Sequence, residues 1–173
     1  AHPDVDLRVV SPRGLPPFPL SRHPHYRALA DLPEQEAWKG VTVYRPRFTH
    51  WPATGGRFDA GSMARAVLPL LQSIRHEFPF ELIDAEFFFP DGPAAVWLGE
   101  RLGVPVSIKA RGADIHYWGT KSGTGPQVVA AGQKAQGLLA VAQSLKTDMA
   151  AIGMPEERIR VHYTGVDLAR FTP

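Results

Sequence analysis

The stretch FFFPDGPAAVWLGERLGVPVSIKARGADI, Phe87 to Ile115, decides how this chain folds. It begins as the end of an apolar run from Glu81 to Phe88, which reads as a strand. Pro90 stops that run, and a helical segment starts at Asp91, placed here as its N-cap. Gly103 and Pro105 mark the helix stop. A second short strand, Pro105 to Ile108, then gives way to a charged, glycine-hinged corner, Arg111-Gly112-Ala113-Asp114. Strand, helix and strand in this order read as a parallel βαβ unit.

The same alternation continues downstream. Gln127 to Ala135 is expected to be a helix and Gly137 to Ala142 a strand. A helix capped by Ser144 then runs to Ile152 and stops at Gly153 and Pro155. Arg158 to His162 is the last strand, followed by TGVD, Thr164 to Asp167, with Asp167 a cap for the turn at LARF. GTKSGTGPQ, Gly119 to Gln127, reads as a flexible surface loop.

Upstream the pattern is looser. Val5 to Val10 is a short strand, and the proline-dense SPRGLPPFPLSRHPHY an irregular loop before a weak helix near His25 to Ala30. GVTVYRPRF from Gly40 is a strand stopped by Pro46. In the helix Arg57 to Phe78, residues Met63, Ala66, Val67, Leu70, Leu71, Ile74 and Phe78 share one face, and Pro69 is a candidate kink.

The totals exclude several classes. A hydrophobic content of 44% and a charged content of 21% over 173 residues suit one globular domain. A net charge of +2 gives no basis for a nucleic-acid partner. There is no cysteine, hence no disulfide, thiolate metal site or cysteine nucleophile, which fits a cytoplasmic protein. No stretch reaches the roughly 20 apolar residues of a membrane span. The N-terminus has no secretory signal pattern and no starting methionine.

In an open parallel sheet, ligands bind beyond the carboxyl ends of strands. The RGAD corner lies at such an end. Gly112 permits a close backbone approach, and Arg111 presents a fork suited to phosphate or carboxylate. Asp114 is placed to orient Arg111 or a substrate hydroxyl. The plain alternative is a tight turn with a surface ion pair. At the FFFPDG corner the helix N-terminus suits an anion or a sugar hydroxyl, against the plainer reading that Asp91 caps the helix and the aromatics belong to the core. Asp4 and Asp6 have the spacing of a metal-nucleotide DxD motif but precede a strand instead of ending one. The histidines are scattered, and His23 and His25 have no companion cluster for zinc.

Taken in order, these corners resemble the pattern of retaining glycosyltransferases of family 4, also called group 1. The quoted stretch is similar to that family's proline-aspartate-glycine corner, "gVPv" strand and RG-D corner. LLAVAQSLKTDMAAIGMPEERIRVHYTGVDLARFTP, Leu138 to Pro173, is similar to the run that closes its N-terminal domain. The resemblance implies an α/β fold: a Rossmann-like three-layer sandwich with a mainly parallel sheet, the N-terminal domain of a GT-B glycosyltransferase. Residues 1–173 would form that single acceptor-side domain, with the donor-binding C-terminal domain outside this chain, so the fragment alone should be inactive. The family's first strand, glycine-rich loop and helix would precede this chain; without that central strand a gap or exposed sheet edge results, leaving room for a dimer.

The resemblance further implies an acceptor-binding wall of Glu86, Asp91, Gly92, Arg111, Gly112 and Asp114. Ser144, Thr164, Gly165, Val166 and Asp167 fall at the interdomain cleft. Catalytic residues stay unassigned, and no metal or other cofactor is expected. The partners implied are a nucleotide-sugar donor, held by the other domain, and a glycan or lipid-linked acceptor. Peripheral contact with the inner membrane face stays open through loop aromatics such as Phe18, Trp51 and Trp118. The sequence departs from the family in three places: Glu86 and Arg111 stand where histidine is common, and Thr164 where asparagine is. Arg111 cannot act as a general base at neutral pH. Two other readings remain: a non-catalytic sugar- or phosphate-binding module, and another GT-B-like nucleotide-sugar enzyme such as an epimerase.

Overall fold

The computed structural model describes residues 5–165. They group into two compact units that divide between Phe80 and Glu81.

The second unit carries the alternating pattern. Strands β6 (Ile83–Ala85), β7 (Val106–Ala110), β8 (Gly137–Ala140) and β9 (Ile159–Val161) form a parallel sheet in sequence order. The register lines Ala85, Ile108, Leu138 and Ile159 into one rung, and all four are buried. That rung explains why short strands suffice. Each contributes one apolar side chain to a shared row, at about 25 cal/mol for every Å² removed from water.

Helix α3 (Asp91–Leu102) crosses from β6 to β7 and packs on both. Gly103, at φ 65°, ends it in the left-handed conformation that glycine adopts freely. Helix α4 (Gly125–Lys134) packs on α3 and leads to β8, and α5 (Gln143–Ala151) leads to β9.

The first unit begins with β1 (Arg8–Val10) and β2 (Arg13–Leu15). It continues with α1 (Pro24–Ala30), β3 (Gln35–Trp38), β4 (Val41–Tyr44), β5 (Arg47–Thr49) and α2 (Asp59–Glu77). β1 pairs β4 and β2 pairs β5, both in parallel. Two amides bridge the pieces: Ser11 N donates to the Tyr44 carbonyl and Arg13 N to that of Pro46, each at 2.8 Å. Pro46 therefore interrupts the strand instead of ending it, because the ladder resumes one residue later. β3 folds back on β4 through Lys39 (φ 48°) and Gly40 (φ 81°), a tight hairpin turn.

The proline-dense loop is also more ordered than expected. It contains β2 and a 3-10 turn at Leu20–Arg22. Buried Arg13 donates to the carbonyls of Leu29 and Ala30 at the end of α1, to that of Leu32 just past it, and to that of Arg45. One cationic side chain thus anchors the loop by neutralising the exposed carbonyls of a helix end.

Two expected caps are corrected. Asp91 is the first residue of α3, not its N-cap; Pro90 occupies the cap and no side chain bonds there. Ser144 lies inside the first turn of α5, where Ala142 is the cap, again with no side-chain bond. The Gly119–Gln127 segment is not a loose loop. Thr124 is fully buried and its hydroxyl donates to the Trp118 carbonyl at 2.6 Å. No helix is long and apolar enough to cross a membrane among the described residues.

Candidate functional site

β6 and β7 run in parallel, so their carboxyl ends lie side by side and the corners that follow them meet. Asp114 joins the two. It is fully buried and accepts from three backbone amides: Phe88 at 2.8 Å, Gly112 at 2.7 Å, and Arg111 at 3.0 and 3.1 Å. The expectation that Asp114 meets a substrate hydroxyl is corrected. Its oxygens are closed off from solvent and saturated by amides, so it shapes the corner from beneath. Gly112, at φ 121°, supplies a turn that an L side chain rarely adopts.

Held this way, the Arg111 side chain turns back onto β6. Its Nε donates to the Glu86 carbonyl at 2.7 Å, and its guanidinium pairs with the Glu86 carboxylate. Lys109, on β7 and largely buried, points its ammonium at the same carboxylate from 3.9 Å. The corner thus carries two cations against one carboxylate, with Arg111 and Glu86 exposed. Lys109 was missed in the sequence reading; the signal was a lysine inside the otherwise apolar strand VSIKA.

Asp91 sits in the first turn of α3, half-buried. Burial pushes its carboxyl up to about 6, with the Asp114 charge adding to the effect. Gly92 packs beneath it, so that a Cβ there would meet Ile108 at 3.1 Å. Phe88 and Phe89 belong to the core, as the plainer reading had it.

After Asp114 the chain makes a single π turn, Asp114–Trp118. The Trp118 ring lies 5.1 Å from that of Phe89, and the Lys121 ammonium covers the Tyr117 and Trp118 rings at 3.6 and 4.5 Å. His116 Nε2 meets Asp148 of α5 at 2.9 Å, both side chains well exposed.

The structure brings Glu86, Asp91, Gly92, Arg111, Gly112 and Asp114 into one corner. Ser144, Thr164 and Gly165 are exposed, past β8 and past β9. Val166 and Asp167 lie outside the described residues. Among the described residues no three histidine, aspartate or glutamate side chains gather as a metal site. The cavity lined by Val96, Gly99, Gly103, Val106, Lys134 and Gln136 lies at the other end of β7, away from the charged corner.

The chemistry available here is electrostatic and hydrogen-bonding: a fixed guanidinium, a buried ammonium and a carboxyl with a raised pKa. Such a set can hold an oxygen-rich, partly anionic ligand.

Comparison with known proteins agrees with this architecture. Residues 4–170 match the model of Glycosyltransferase Family 4. Over 119 residues, or 66% of the chain, it is 30% identical to the putative teichuronic acid biosynthesis glycosyltransferase TuaC of Bacillus subtilis. It spans only 29% of that relative. Among solved structures, Anabaena HepE in complex with UDP superimposes with a TM-score of 0.53 at 19% identity. That match covers 73% of this chain and 32% of HepE. HepE in complex with UDP-glucose gives 0.52 at 16% identity, with the same coverage. At these identities the structures speak to fold, and they support the expected Rossmann-like α/β sandwich of the GT-B type. The chain therefore belongs to Glycosyltransferase Family 4, as an N-terminal GT-B domain.

Proposed function

We propose that the protein carrying this chain transfers a sugar from a nucleotide-sugar donor to a glycan or lipid-linked acceptor, with retention at the anomeric carbon. This chain supplies the acceptor wall. The observation that carries the reading is the corner at the carboxyl ends of β6 and β7, where Arg111 and Lys109 converge on Glu86. A charged corner at that end of a parallel sheet is where α/β folds take ligands.

The roles divide by geometry. Asp114 fixes the backbone from Phe88 to Gly112. Arg111 is held by Glu86 yet exposed, so an anionic group can compete for its fork. Asp91, with its raised pKa, exchanges a proton near neutrality and can donate or accept a hydrogen bond to a hydroxyl. The nucleotide-sugar donor is held by the second domain. HepE, a fold neighbour, has been solved with UDP and with UDP-glucose, which supports a donor of that class here. No metal is required in this reading. The leaving phosphate is stabilised by cationic groups and helix N-termini.

The test uses the complete protein, a panel of nucleotide sugars and a set of p-nitrophenyl glycosides as acceptors. The reading expects transfer from at least one nucleotide sugar, undiminished by EDTA. It expects Arg111→Ala to lower transfer by about 10²-fold, the scale seen when a charge-stabilising group is removed. An Arg111→Ala protein as active as the parent removes this corner from the reaction.

A further inference from the structure

The first unit has a polar corner of its own that the proposed function leaves unused. β5 ends at Thr49, and the next residue, His50, extends the ladder by donating its amide to the Leu15 carbonyl at 2.9 Å. Its ring lies against the start of α2. There Nδ1 meets both oxygens of Asp59, at 3.0 and 2.9 Å. The two partners are unequal in exposure: the Asp59 side chain is 11% exposed and that of His50 32%. A buried carboxylate therefore grips one ring nitrogen while the ring reaches toward solvent.

That grip fixes the tautomer. In the neutral ring, Nδ1 carries the hydrogen and donates to Asp59, so Nε2 keeps its lone pair. No described partner bonds Nε2. An Nε2 lone pair held in a fixed direction accepts from a hydroxyl, the group a sugar acceptor presents in numbers. The site also sits past the carboxyl ends of the parallel strands β2 and β5, the ligand side of such a sheet. Holding a loop to a helix would need only one hydrogen bond to an exposed residue; here Asp59 is buried, where its carboxyl is pushed up by desolvation and held down by His50.

We propose that His50, positioned by Asp59, binds a hydroxyl of the acceptor through Nε2. Asp59 is the positioning residue. The inference rests on the glycosyltransferase reading and deepens its acceptor side.

Two reactions of the complete protein separate the claims. Hydrolysis of the nucleotide sugar, with water as acceptor, reports the donor side alone. Transfer to whichever p-nitrophenyl glycoside is fastest with the parent reports the acceptor side. His50→Ala should raise the acceptor KM by roughly five- to tenfold, the scale of one hydrogen bond, and leave hydrolysis unchanged. His50→Gln, which keeps an acceptor near the Nε2 position and fills the same space, should restore part of the loss. Asp59→Asn should shift the ¹⁵N resonance of His50 Nε2 toward the protonated form and raise the acceptor KM, a signature that mere loop-holding does not give. His76→Ala, on the exposed last turn of α2, is the control. An unchanged acceptor KM in both His50 variants overturns the inference while the transferase reading stands. A parent protein that neither hydrolyses nor transfers overturns both.

Discussion

The Asp114 carboxylate and the Phe88 amide, 26 residues apart in sequence, lie 2.8 Å apart and join the corners after β6 and β7. Asp114 is fully buried and binds two further amides, those of Arg111 and Gly112. Asp114→Asn removes the charge and puts an amide NH₂ where backbone N–H groups already point. A loss of about 2–4 kcal/mol in folding stability is expected, because buried donors lose their acceptor. Chemical denaturation of the complete protein measures it, and a loss below about 1 kcal/mol contradicts the bridging role.

Asp91 gives a pH signature. Its folded-state pKa is raised, to about 6, from an ordinary value near 3.8. The folded state thus holds the proton more tightly than the unfolded chain. Its contribution is fully present below the unfolded pKa and is lost as pH rises through the folded one. The window runs from about pH 4 to about pH 6. Asp91→Asn should flatten the stability slope in that window. It should match the parent near pH 4 and exceed it by about 1–2 kcal/mol at pH 7, discounting for solvent at this half-buried group. Equal pH slopes for the two proteins count against burial as the cause.

Gly112 stands at φ 121°, and a methyl group there would meet no atom within 4 Å. Gly112→Ala therefore meets strain but no clash. It should cost about 1–3 kcal/mol and re-aim Arg111 away from Glu86. A thermal melt and the transfer assay both read it, and a loss of stability with transfer unchanged would separate the turn from the site.

The Arg111–Glu86 pair is exposed on both sides, at 44% and 55%. Arg111→Ala is expected to change folding stability by less than about 1 kcal/mol, since exposed ion pairs are screened. Loss of transfer without loss of stability is the pattern that marks a ligand-facing residue. A large stability loss would place Arg111 among the structural groups instead.

The second unit was largely legible. Its strands are apolar, its helix stops at a glycine, and its order strand-helix-strand leaves few topologies. The first unit was harder because its signals are tertiary. Gln35–Trp38 carries no strand pattern of its own and becomes a strand by pairing back on β4 across Lys39 and Gly40. The loop from Ser11 to Tyr26 is pinned by Arg13, whose partners Leu29, Ala30 and Leu32 no local pattern reveals.

The charged corner was visible as residue types but not as roles. Asp114 looked like a ligand group, yet its depth under the turn makes it a bracket. Asp91 looked like a cap, yet it is the first residue of the helix and Pro90 holds the cap position. Lys109 was hidden by the strand around it. Nothing in the sequence links His50 with Asp59, because eight residues of loop and turn separate two groups that meet only when α2 docks on β5.

Transfer with retention leaves its mark on the anomeric carbon of the product. The complete protein is supplied with an α-configured nucleotide sugar and a p-nitrophenyl glycoside, and the first-formed product is read by proton NMR. An α-linked disaccharide is expected, with the small anomeric coupling of an axial C1–O bond for a gluco-configured sugar. A β-linked product, or no transfer from any nucleotide sugar, contradicts it.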